Sequence, residues 1–191
     1  MNTQALKQGD VIFTAIPSPL FRRVAAGTDS KVSHVGIVLL NQNNEWVVAE
    51  SAVPFSKYST LEHFIKRSEN GWFCVKRLAV PPNEEEIKRI KLECEKRMGV
   101  LYHTGFKYES ARLFCSKFVY DVFKNAMNIK IGTLETLETI YSRNPKTPLR
   151  FWRIWYLGRI PWHRITISPA SQFHSKSLST VYRCPENQSL S

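Results

Sequence analysis

Val32 to Ala52 reads VSHVGIVLLNQNNEWVVAESA, two apolar, β-branched runs (Val32 to Leu40 and Trp46 to Ala52) around the polar stretch Asn41-Gln42-Asn43-Asn44-Glu45. Runs of this kind, joined by a short Asn-rich loop, form a β-hairpin. Each run carries one polar intruder, His34 in the first and Glu50 in the second. An imidazole or a carboxylate in such surroundings is costly unless it has a partner. Register decides whether the two meet. With Asn41 to Glu45 as a five-residue loop, Leu40 faces Trp46 and Gly36 faces Glu50. His34 and Glu50 then share a face as diagonal neighbours, about 7–8 Å apart at Cα. A four-residue loop would put them on opposite faces.

The flanking sequence supplies more strands and then helices. Gly9 to Ile16 (GDVIFTAI) reads as a strand bounded by Gly-Asp and a Pro-Ser-Pro cluster, and Phe73 to Leu78 as another. Asn83 with Glu86 three residues on is a capping-box pattern that predicts a helix over Glu84 to Met98, closed at Gly99. Ile87, Ile90, Cys94 and Met98 fall on one stripe of it, which makes Cys94 a packing residue. Cys115, Phe118, Val119, Val122 and Ala126 mark a second helical stripe, ending near Asn128. A third helix is expected over Leu134 to Ser142, capped by Thr133. Leu149 to His163 is aromatic and basic, and Arg164 to Phe173 and Thr180 to Cys184 are expected to supply late strands. Strands first and helices afterwards give an α+β layout. Residues 1–185 are expected to form one domain, with Glu186 to Ser191 a disordered tail.

Composition narrows the function classes. The four cysteines, Cys74, Cys94, Cys115 and Cys184, lie far apart without zinc-ligand spacing, so reduced thiols are expected, with no metal and no cofactor. Met1 to Asp10 lacks the basic start and apolar run of a secretory signal, which predicts a cytoplasmic protein. The formal charge is +11, and from Thr139 to Pro185 there are eight Lys or Arg and no Asp or Glu, a patch that attracts anions.

A thiol becomes a nucleophile when a helix N-terminus or a nearby imidazolium holds it as thiolate. Cys115 lies near the start of its helix, although Ser110 as N-cap would put it in the second turn. By itself Cys115 also suits a buried core cysteine, and His34 a satisfied structural histidine. Together, Cys115, His34 and Glu50 have the makeup of a triad: thiol, imidazole that takes and returns its proton, and carboxylate that fixes the imidazole. His63, His103, His163 and His174 suit surface or loop positions instead.

Tyr102 to Phe123 (YHTGFKYESARLFCSKFVYDVF) resembles the tyrosine-then-Cys-Ser segment of NlpC-type cysteine hydrolases, and GDVIF, SHVGIVLL and VVAES resemble their histidine-bearing sheet. Here the sheet comes first. That order resembles the circularly permuted, papain-like YiiX and YebB-like family, and most of all its YebB type. The resemblance implies a papain-like fold in which an antiparallel sheet carrying His34 and Glu50 packs on a helix with Cys115 at its N-terminus. It also implies Cys115 as nucleophile, His34 as base and Glu50 as third member, with Tyr102 near the site in a substrate or oxyanion role. Many permuted relatives have an acid where this chain has His103.

The expected activity is that of a cysteine hydrolase cleaving an amide (peptide) or other acyl bond through a Cys115 acyl-enzyme. Small peptides, amino-acid amides and lipid acyl groups all suit that chemistry. Phe151, Trp152, Trp155, Tyr156 and Trp162 with Arg150, Arg153 and Arg159 either complete a core or meet an anionic membrane, which makes a membrane-surface lipid acyl hydrolase or acyltransferase the second reading. A noncatalytic binding module with a basic patch is the third. No nucleic-acid motif accompanies that patch.

Overall fold

The computed structural model describes residues 5–183, so the expected tail from Glu186, and Cys184, lie outside the described residues. Its centre is a six-stranded antiparallel sheet in the order β4-β3-β2-β1-β5-β8. The strands are β1 (Val11–Thr14), β2 (His34–Leu40), β3 (Trp46–Ser51), β4 (Ser56–Thr60), β5 (Phe73–Leu78) and β8 (Leu178–Arg183). A separate two-stranded ribbon pairs β6 (Glu135–Thr136) with β7 (Ile165–Thr166). The helices are α1 (Pro19–Gly27), α2 (Leu61–Lys66), α3 (Glu84–Glu95), α4 (Cys115–Met127), α5 (Leu137–Arg143), α6 (Arg150–Trp155) and α7 (Pro169–Phe173).

The sheet is covered on both faces, which is why β2 is almost continuously apolar rather than alternating. On one face Val35, Ile37, Leu39 and Ala49 pack with Ile90 and Cys94 of α3 and with Phe118, Val119, Val122 and Phe123 of α4. On the other, Val38 and Val48 pack with Leu61 and Phe64 of α2. Burying one such side chain contributes about 1.5–3 kcal/mol.

The hairpin adopts the five-residue register, with Leu40 opposite Trp46 and Ile37 opposite Ala49. Asn41 holds the loop: its N–H donates to the Glu45 carbonyl, and its Oδ1 accepts from the Asn43 and Glu45 N–H groups. The capping box of α3 forms as expected, though the helix stops at Glu95 rather than Met98.

Three expectations need correction. Ser18 and Pro19 do not simply end a strand. They start α1, with Ser18 accepting from the Phe21 N–H and Pro19 in the first turn, where a missing N–H costs nothing. The third helix starts at Leu137, because Thr136 rather than Thr133 caps it and the two residues before are drawn into β6. Arg164 to Phe173 is only briefly extended, since Ser168-Pro169 repeats the Ser-Pro start and turns the chain into α7.

Candidate active site

Glu50 and His34 lie on the α2 face of the hairpin, both essentially sealed from solvent (0% and 1% exposed). His34 Nε2 donates to Glu50 Oε2 at 2.5 Å. The other carboxylate oxygen, Oε1, accepts from Ser59 Oγ at 2.6 Å and from Arg67 Nη2 at 2.5 Å. Three donors replace the water Glu50 has lost. Burial raises its pKa, but the His34 contact, and after it Arg67 and Ser59, bring it down to about 2, so Glu50 is a carboxylate at neutral pH.

The His34 ring is clamped by apolar neighbours, with Phe64 of α2 at 5.4 Å and Phe21 of α1 at 5.7 Å between ring centroids. Phe64 reaches it because residue 36 is glycine. A Cβ there would come within 2.4 Å of Val48 Cγ1 and 3.3 Å of the Phe64 ring. Nδ1, the remaining ring nitrogen, is buried without a hydrogen bond of good geometry. Burial lowers the imidazole's pKa, but the adjacent Cys115 thiol and then Glu50 raise it to about 9. Both contacts favour the protonated ring.

Cys115 is the first residue of α4, and the preceding Phe114 is extended and supplies no side-chain cap. The helix therefore starts at the cysteine and not near Ser110, leaving the first backbone N–H groups without a side-chain acceptor. Its first turn is moored instead through Ser116, whose hydroxyl donates to the Ile167 carbonyl at 2.7 Å and whose carbonyl accepts from Gln172 Nε2 at 2.9 Å. α4 packs on the sheet face opposite His34, so thiol and imidazole meet at the end of β2, where His34 is the first residue.

Tyr102 is buried, and its hydroxyl lies 3.9 Å from Cys115 Sγ. A parallel bridge to Leu113 and a 2.8 Å bond from its N–H to the Pro54 carbonyl hold it there. Burial, then Cys115, keep this phenol protonated far into the alkaline range. His103 is used locally: its Nδ1 accepts from the Gly105 N–H at 3.1 Å.

An apolar cavity reaches Cys115. Its walls combine Phe21 and Val24 of α1, Ile140 of α5, Trp152 of α6, Tyr156 and Trp162. Three of the five aromatic rings of the basic segment, Trp152, Tyr156 and Trp162, thus turn inward to this cavity.

The structure brings Cys115, His34, Glu50 and Tyr102 into one cluster and leaves His63, His163 and His174 outside it. Ser59, Phe64 and Arg67 were missed by sequence reasoning, because they belong to the next strand and helix and have no spacing relation to the hairpin. Gly36 was the available signal, a lone glycine within a strand that marks close approach.

A family model described as "Permuted papain-like amidase enzyme, YaeF/YiiX, C92 family" matches residues 5–182. The chain is 25% identical over 173 residues to the Escherichia coli (strain K12) protein named "Uncharacterized protein YiiX", covering 91% of this chain and 84% of that protein. It is similar in structure to the crystal structure of metalloprotein yiiX (DUF1105) from Escherichia coli O157:H7, with a TM-score of 0.86 and 26% identity, covering 93% of this chain and 97% of that one. The donors here do not fit a metal. No cluster of three or more His, Cys, Asp or Glu suits one among the described residues, and both Glu50 oxygens are already engaged by His34, Ser59 and Arg67.

Proposed function

The chain belongs to the permuted papain-like amidase family, and on that premise we propose that Cys115 is its nucleophile, His34 its proton carrier and Glu50 the group that holds His34 charged and oriented. The enzyme is a papain-like cysteine hydrolase acting on an amide or other acyl bond. The observation that carries the assignment is the buried Glu50–His34 pair, whose second nitrogen is left without a protein acceptor beside a thiol at a helix start.

In this reading His34 Nδ1 takes the thiol proton as Cys115 Sγ attacks the carbonyl carbon. The oxyanion is met by backbone N–H groups at the start of α4, with the Tyr102 hydroxyl as a further donor. As the C–N bond breaks, His34 gives its proton to the departing amine and leaves a thioester on Cys115. Water then loses a proton to His34 and attacks the thioester, releasing the acid and restoring the thiol. The apolar cavity beside Cys115 favours an apolar acyl group over a charged peptide side chain. Residues 1–185 are proposed as one catalytic domain, supported by a single sheet in which β1 and the C-terminal β8 both pair with β5.

Mixing the enzyme with N-acyl aminomethylcoumarins of increasing chain length and recording intact mass tests this. A transient gain equal to the acyl group, located on Cys115 and absent in Cys115→Ser, is the expected result. Turnover by Cys115→Ser at the wild-type rate would contradict it. Ile140→Trp, which narrows the cavity, should reduce the preference for long over short chains.

A further inference from the structure

The wall of the cavity nearest α6 has a second surface that the catalytic reading does not use. Trp152 and Tyr156 line the cavity, but Ile154, Trp155 and Leu157 face solvent at 70%, 38% and 93% exposure. Leu157 also has φ 51°, followed by Gly158 at 88°. A leucine adopts that left-handed conformation only at a cost, here on a side chain that packs against almost nothing. Around these residues Arg150, Arg153 and Arg159 are exposed, and no ion pair or side-chain hydrogen bond ties them to another described residue. The stretch from Thr139 to Pro185 contains no Asp or Glu, and Glu138, just before it, meets His163, beyond Arg159.

A polyanion would account for the arginines but not for three exposed large apolar side chains. An apolar protein partner would account for the reverse. A bilayer with anionic headgroups accounts for both, because apolar side chains enter the headgroup boundary while guanidinium groups stay at the phosphates. Trp155, stacked on Phe151 and with its indole N–H held by the Thr104 carbonyl at 3.0 Å, presents only part of its ring to that depth, so Ile154 and Leu157 are the main apolar contacts. No helix among the described residues is long and apolar enough to cross a membrane, so the contact is peripheral. We propose that Arg150 to Arg159 is a docking element that seats the protein reversibly on an anionic lipid surface and brings the cavity wall to that surface.

Co-sedimentation of the full chain with vesicles of phosphatidylcholine and phosphatidylglycerol in equal parts, and of phosphatidylcholine alone, tests this without any turnover. Binding is expected to the anionic vesicles only and to fall at high salt. Arg150→Gln and Arg153→Gln should each weaken partitioning about fivefold, and Ile154→Ser with Leu157→Ser at least about tenfold. Tryptophan emission should shift to the blue on binding, and Trp155→Phe should reduce that shift. Melting curves show whether each variant is folded, which these exposed positions favour. The proposal is overturned by no binding to the anionic vesicles, by equal binding to phosphatidylcholine alone, or by binding that responds to the arginines and ignores Ile154 and Leu157. The last outcome would mark a plain polyanion patch.

Discussion

Glu50 is the residue on which the site's electrostatics turn. It is shared by His34, Ser59 and Arg67, and together with Cys115 it raises the His34 pKa. Glu50→Ala would leave a buried His34 and an Arg67 without their counter-charge, a loss of about 3–5 kcal/mol in unfolding free energy by denaturant titration. Glu50→Gln keeps the shape but not the charge, so the His34 pKa should drop from about 9. The alkaline limb of the pH–rate profile should then move to lower pH. Arg67→Met removes a cation that competes for the Glu50 carboxylate, which stays ionised throughout this range, so the limb should stay in place or move slightly to higher pH. An unchanged alkaline limb in Glu50→Gln would show that the carboxylate does not support the imidazolium.

At the scale of elements, the hairpin was legible because its period and loop length leave few choices. A five-residue loop and the alternation of β2 and β3 put His34 and Glu50 on one face, and Leu40 does face Trp46. The start of α4 was not legible from the residues alone, although the family resemblance implied it: Ser110 is a good N-cap residue, but the Tyr102–Leu113 bridge keeps the chain extended until Cys115. Nor was the face of the sheet that α4 covers. Both faces of β2 are apolar, so only tertiary packing tells the α4 side from the α2 side. Missing α1 hid two residues of the cavity wall, Phe21 and Val24. Gly36→Ala tests the α2 side directly. The added methyl must displace Val48 or Phe64, at a cost of about 1–3 kcal/mol in stability. Activity should fall as well, because the ring that clamps His34 moves; a variant as stable and active as wild type would mean that Phe64 has no part in holding the imidazole.

For the whole molecule, the buried pair makes folding depend on pH. His34 is raised from 6.5 to about 9, so its contribution is complete below pH 6.5 and lost as pH rises through about 9. Glu50 is lowered from 4.5 to about 2, so its contribution is complete above pH 4.5 and lost as pH falls through about 2. Both are present in full only between about pH 4.5 and 6.5. The difference in melting temperature between wild type and His34→Gln should be largest in that window and shrink toward alkaline pH. A difference that does not vary with pH would assign the loss to packing alone.

The central claim is that Cys115 and His34 act as one unit. Labelling the native protein with limiting iodoacetamide from pH 5 to pH 10, with the modified residue located by mass spectrometry, tests it most directly. Label is expected on Cys115 ahead of Cys74 and Cys94, at neutral-pH rates well above those of an ordinary thiol, falling to the ordinary rate in His34→Ala. Labelling of Cys115 no faster than an ordinary thiol, or at the same rate with and without His34, would contradict it.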